Sequence, residues 1–175
     1  MEVSELEVRV RYAETDQMGV AHHASYLVWF EAGRTEFIRA RGRSYAQVEA
    51  DGWLLVVVEA HCRYHRPARY DDVLTIRTRL EAVRPATLVF GYEVIRAGSG
   101  DLLAEGSTVH ATVDRTTGRP RRIPDGIRSL LVGAEQDSRG AVRSERARGA
   151  VRDARTRRGE AESDVRAGEP GHPAN

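Results

Sequence analysis

The stretch Ala24-Ser25-Tyr26-Leu27-Val28-Trp29-Phe30-Glu31-Ala32-Gly33-Arg34-Thr35-Glu36-Phe37-Ile38-Arg39-Ala40-Arg41 contains most of the aromatic side chains of the first quarter of the chain. Tyr26, Trp29, Phe30, Gly33 and Phe37 recur at spacings of three and four, which places them on one stripe of a helix. At 1.5 Å per residue this helix is about 27 Å long. Gly42 follows at once and suits a left-handed cap. Gly33 sits in the interior, where glycine costs about 1 kcal/mol against alanine. Its presence predicts that the helix backs closely onto a neighbouring sheet.

Outward from this helix the period changes from three or four to two. On the N-terminal side Leu6, Val8 and Val10 alternate with Glu7, Arg9 and Arg11, as in a strand with one buried face. On the C-terminal side a helical turn over Tyr45 to Ala50 precedes four strands: Leu54 to Tyr64, Val73 to Leu80, Thr87 to Ile95 and Leu102 to Val113. Ala97-Gly98-Ser99-Gly100-Asp101 holds the residues of a hairpin turn. Pro67 and Pro85 fall between strands, where a missing N–H does little harm. Strands that follow one another without intervening helices pair antiparallel, so the expectation is an α+β layer pair with one helix on the concave face of the sheet.

Composition bounds what this layer can be. The chain has 175 residues, 41% hydrophobic and 30% charged, enough for one domain with a tail. No apolar run approaches the ~20 residues of a spanning helix. The N-terminus interleaves charges with apolar residues, unlike a secretory signal, and a cytoplasmic protein is expected. The single cysteine, Cys62, excludes an internal disulfide. Net charge is +1, which argues against nucleic acid as a partner. All aromatic residues lie between Tyr12 and Tyr92, whereas residues 134–175 hold charge in near balance and only valines as large apolar groups. The reading is a folded domain over residues 1–133 and a charged, disordered tail over 134–175.

Common catalytic signatures fail on inspection. Gly42-Arg43-Ser44-Tyr45-Ala46 misses the last glycine of a nucleophile elbow, and Gly98-Ser99-Gly100 lies between strands rather than ahead of a helix. His61 and His65 on one strand stand about 13 Å apart, too far for one metal ion. What remains is the polar run from Arg11 to Leu27, which enters the apolar helix. A helix start presents unpaired N–H groups that attract a carbonyl oxygen becoming an oxyanion. Asp16 could attack that carbonyl or activate water against it, and Gly19 would let the backbone approach the substrate. Spacing alone equally allows Asp16 as a turn aspartate and His22 and His23 as a polar lining.

Thr15-Asp16-x-x-Gly19-Val20-x-x-His23-x-x-Tyr26-Leu27, followed by Phe30-Glu31-x-x-Arg34-Thr35-Glu36 and Arg66-Pro67-Ala68-Arg69-Tyr70-Asp71-Asp72, resembles the hotdog-fold acyl-CoA thioesterases of the 4-hydroxybenzoyl-CoA thioesterase type, including the bacterial Tol-Pal-associated members. The likeness runs over roughly residues 5 to 131. It implies the hotdog fold, a curved antiparallel five-stranded sheet wrapped around one long central helix. It also implies hydrolysis of an acyl-CoA to free acid and CoA, without metal or organic cofactor. The family's catalytic aspartate falls on Asp16, the residue whose backbone N–H meets the thioester carbonyl on His23, and the loop glycine on Gly19. The resemblance further implies a homo-oligomer, dimer or tetramer, with sheets paired edge to edge and each active site shared between subunits. Ser25 stands where members often carry Asn, and either would serve as helix N-cap. Asp71 stands where Tyr-Gly-Asp is commoner.

Within that frame Val20 and Tyr26 are expected at the substrate. Arg66 and Arg69, with Arg119, Arg121 and Arg122, are candidates for the CoA phosphates, since guanidinium binds them in a bidentate way. Trp29, Phe30 and Trp53 would line an acyl pocket or, as aromatics on apolar faces, the core. A thiol leaving group with a pKa near about 8.5 departs as thiolate without an obligatory general acid, so one carboxylate and an oxyanion site suffice. Glu31 is the rival carboxylate; its alternative use is an i, i+3 ion pair with Arg34. The contrasting reading is a non-catalytic acyl-CoA binding or sensor module of the same fold.

Overall fold

The computed structural model describes residues 2–132. Five strands, β1 (Val3–Arg9), β2 (Trp53–Tyr64), β3 (Val73–Val83), β4 (Thr87–Arg96) and β5 (Leu102–Asp114), form one sheet in the order β1-β3-β4-β5-β2, antiparallel throughout. The long helix α1 (His23–Ala40) lies against it, with the short α2 (Tyr45–Ala50) and α3 (Asp125–Val132) at its margins. This open α+β arrangement is the hotdog layout that the resemblance implied. The tail expected over residues 134–175 lies outside the described residues.

Alternation explains the two-layer build. Leu74, Ile76 and Thr78 on β3 and Leu88, Phe90, Tyr92 and Val94 on β4 are all fully buried, and they form the face that α1 covers. On α1 the buried positions are Ser25, Tyr26, Trp29, Phe30, Gly33, Arg34, Phe37 and Ile38, a stripe at helical period. Phe30 stacks on Tyr92 with centroids 4.4 Å apart, and Phe37 meets Phe90 edge to face at 5.6 Å. Gly33 does what its position predicted: a Cβ there would lie 2.5 Å from Thr78 Oγ1 and 3.0 Å from Ile76 Cγ2. Gly42 closes the helix in the left-handed conformation, as expected.

Two expectations are corrected, and two features of the structure were not anticipated. Ser25 is not the N-cap; α1 starts one residue before Ala24 and His22 caps it, its Nδ1 accepting from the Ala24 amide at 3.3 Å. Glu31 and Arg34 form no pair: Glu31 points to solvent, while Arg34 is buried and places Nη1 2.8 and 2.9 Å from the two ring nitrogens of His110. The apolar run at the start of β2 is not buried throughout. β2 is an edge strand with a bulge between Val57 and Glu59, and Val56, Val57 and Val58 are all exposed. Finally, α3 was not anticipated, although Ile127 and Leu131, four apart, are its buried positions. No helix among the described residues is long and apolar enough to cross a membrane.

Candidate active site

The chain leaves β1 through a single 3-10 turn (Tyr12–Glu14) and then folds back on itself between Thr15 and Ala21, which form an isolated antiparallel bridge. Within this loop the Asp16 amide donates to the Val20 carbonyl at 2.9 Å, and the Gly19 amide to the Asp16 carbonyl at 3.0 Å. Gly19 has φ +71°, a conformation in which a Cβ is unfavourable. Asp16 Oδ1 accepts from the Met18 amide at 2.8 Å. Asp16 is therefore a turn aspartate with one carboxylate oxygen, while Oδ2 has no hydrogen-bond partner among the described residues.

The loop hands the chain to α1 with its donors accounted for one by one. The Ala21 amide donates to Ala68, the His22 amide to Glu14, the Ala24 amide to the His22 ring and the Ser25 amide to the His22 carbonyl. The His23 amide, first N–H of the helix, has no protein acceptor among the described residues. It carries the positive end of the helix dipole. Asp16, Val20, His23, Tyr26, Tyr64 and Arg66 all line one cavity of about 280 Å³. The residue with the open amide and the residue with the open carboxylate oxygen thus border one space.

Other expected residues divide. Tyr26 lines the cavity but is only 2% exposed, and its Oη accepts from the Ala68 amide at 3.1 Å; burial pushes its pKa up. Arg66 is paired with Asp101, and Arg69 reaches back over the loop, Nη1 lying 3.5 Å from the Gly19 carbonyl. Arg121 packs over the Trp53 ring at 4.0 Å and pairs with Asp114, at the end of β5 remote from Arg66. Arg119 and Arg122 share that segment, so a single subunit does not gather all five arginines. Trp29, Phe30 and Trp53 are core residues, each under 8% exposed, and none lines the cavity. His65 meets Glu105 rather than a metal, and no group of three or more His, Cys, Asp or Glu side chains that could hold a metal ion occurs among the described residues.

Two residues escaped the sequence reading. Glu14 ties the loop to the helix: its carbonyl accepts from His22 and from Ser25 Oγ, and its carboxylate from Arg11 and from Trp29 Nε1. Burial raises the Glu14 pKa, but the hydrogen bonds from Arg11 and Trp29 outweigh it and hold the group below the usual carboxylate value. Its signal was the Arg11–Glu14 spacing. The other is Tyr64, whose Oη donates to the His23 carbonyl at 3.0 Å; it carried no signal in the sequence.

Asp71 also finds its explanation. It is the single non-glycine residue at positive φ among the described residues, +68°. The commoner glycine would suit that conformation, and aspartate tolerates it better than most residues.

The model of the thioesterase-like superfamily matches residues 10–131. The chain belongs to that superfamily. Thioester hydrolysis, the reaction expected from the motifs, is the activity for which the family is named. Among its relatives is the acyl-CoA thioester hydrolase YbgC of Escherichia coli, 37% identical over 120 residues, covering 69% of this chain and 89% of that one. A crystal structure of a hypothetical protein from Thermus thermophilus is 43% identical, with TM-score 0.69 over 74% of this chain and 95% of the other. The DHNA-CoA thioesterase from Staphylococcus aureus is 29% identical, with TM-score 0.69 over 85% and 96% of the two chains.

Proposed function

We propose that this thioesterase-like protein hydrolyses an acyl-CoA thioester to free acid and CoA. The observation that carries the reading is the pairing, on one cavity, of the open His23 amide with the open Asp16 carboxylate oxygen. In this reading the thioester oxygen takes the His23 N–H, where negative charge developing on it is stabilised by the helix start. Asp16 then acts at the carbonyl carbon in one of two ways. As nucleophile it forms a mixed anhydride as thiolate leaves, and water then cleaves the anhydride. As base it takes a proton from water while the oxygen of that water adds to the carbon and thiolate departs. Both routes yield acid and thiol and require only groups that the site contains.

In the same reading Arg66, which lines the cavity, and Arg69, beside Gly19, meet the CoA phosphates, and Val20 and Tyr26 contact the thioester end. We read the working form as a homo-oligomer, dimer or tetramer, joined along the β2 edge. In support, β2 exposes Val56, Val57 and Val58, and α1 exposes Leu27 and Val28. Such pairing brings a second subunit to the mouth of each site and supplies further arginines. A cytoplasmic setting goes with a CoA-linked substrate.

The test is thiol release from a panel of short, medium, long and aromatic acyl-CoAs, with binding measured in parallel. Turnover of at least one member supports the hydrolase and identifies the acyl group. Binding without turnover of any would favour the non-catalytic module.

A further inference from the structure

Tyr64 closes β2 and lines the same cavity as Asp16, and two contacts fix it. Its Oη donates to the His23 carbonyl at 3.0 Å. Its ring meets the buried Tyr26 ring edge to face, centroids 5.0 Å apart.

The His23 carbonyl belongs to the first turn of α1, the turn whose only open donor is the His23 amide. That turn is otherwise held from the loop side, through Glu14 and the His22 ring. Tyr64 is the tie from the sheet side. With both ties in place the first turn cannot rotate about its axis, and the direction of the free amide is set. An oxyanion donor is effective only if it aims where the oxygen will be, and small misplacements are costly.

We infer that Tyr64 is a positioning residue of the thioesterase, whose hydroxyl holds the first turn of α1 so that the His23 amide points at the thioester oxygen. This rests on the hydrolase reading above and adds to it a residue outside the matched motifs. Burial pushes the Tyr64 pKa up to about 12, so the hydroxyl remains a donor throughout the physiological pH range.

Tyr64→Phe retains the ring against Tyr26 and removes the tie alone. In the full chain, with whichever acyl-CoA wild type turns over, kcat is expected to fall roughly tenfold with KM within about twofold and the melting temperature nearly unchanged. The His23 and Ala24 amide resonances should shift, while those of β3 and β4 stay. Tyr64→Leu, which also loses the ring contact, should match Tyr64→Phe in kcat and lose stability besides. A kcat within twofold of wild type in Tyr64→Phe would overturn the inference, as would a rise in KM at constant kcat, which marks a substrate contact instead. The hydrolase reading stands apart from this outcome, since it fails only if wild type turns over none of the acyl-CoAs or if Asp16→Ala keeps its activity.

Discussion

Helix α1 meets the sheet through two polar clusters about three turns apart, and their contrast shows how one element supports both chemistry and stability. At its start His23 and Asp16 border a cavity, and one amide and one carboxylate oxygen there have no partner among the described residues. At its middle Arg34 faces His110 of β5, fully buried, and His110 continues through Thr108 Oγ1 at 2.7 Å to the Tyr92 hydroxyl, 2.7 Å further on. Burial, and then the Arg34 charge, push the His110 pKa down to about 4. Arg34 can only donate, so it requires a ring nitrogen with a free lone pair, which the neutral ring provides. Both clusters use histidine beside a helix. Exposure alone separates a site that keeps capacity to bind from one that has spent it within the core.

Removing the carboxylate at the open end should have the largest effect. Asp16→Ala is expected to lose at least about a thousandfold in kcat/KM with its fold intact, whereas Glu31→Ala, on the exposed face of α1, should retain turnover; thiol release checks both. The reverse pattern would move the chemistry onto the helix face.

The buried cluster should announce itself as acid sensitivity. The folded His110 pKa lies near 4 against 6.5 for the free side chain, so below 6.5 the unfolded chain takes up a proton that the folded one refuses. Its contribution to stability is complete above pH 6.5 and is lost as pH falls toward 4, amounting to about 3 kcal/mol. Urea unfolding between those pH values should show this slope, and His110→Gln should flatten it.

Between the two clusters lies Gly33. Gly33→Ala pushes a methyl into Thr78 Oγ1 and Ile76, and should cost about 1–3 kcal/mol on thermal or urea unfolding. If the variant is as stable as wild type, the helix does not approach the sheet as closely as described. The smallest effect is expected in the segment beside the open end. Asp71→Gly relieves positive φ and gives up an exposed ion pair with Arg9, for a net gain of roughly 0.5 kcal/mol.

What could be read from the sequence follows the same division. Local period revealed β1, α1 and the later strands because alternation and helical spacing are properties of neighbouring residues. Asp16, Gly19 and His23 could be singled out as candidates because loop and helix start are contiguous, but spacing alone did not decide their roles, which came from the family resemblance. Contacts that depend on strand register were not legible. Arg34 and His110 are 76 residues apart, Tyr64 and His23 41 apart, and nothing local links them. Glu31 was paired with Arg34 on local spacing, and the long-range partner won because a buried guanidinium needs an acceptor within reach. The exposure of Val56, Val57 and Val58 was not legible either, because hydrophobicity does not distinguish a core strand from an edge strand.

The most direct measurement is a crystal structure with a non-hydrolysable acyl-CoA analogue in which a ketone replaces the thioester. The expected result is a carbonyl oxygen about 3 Å from the His23 nitrogen, with its carbon turned toward the free oxygen of Asp16. A carbonyl seated against Glu31, or anywhere beyond reach of the first turn of α1, would contradict the account.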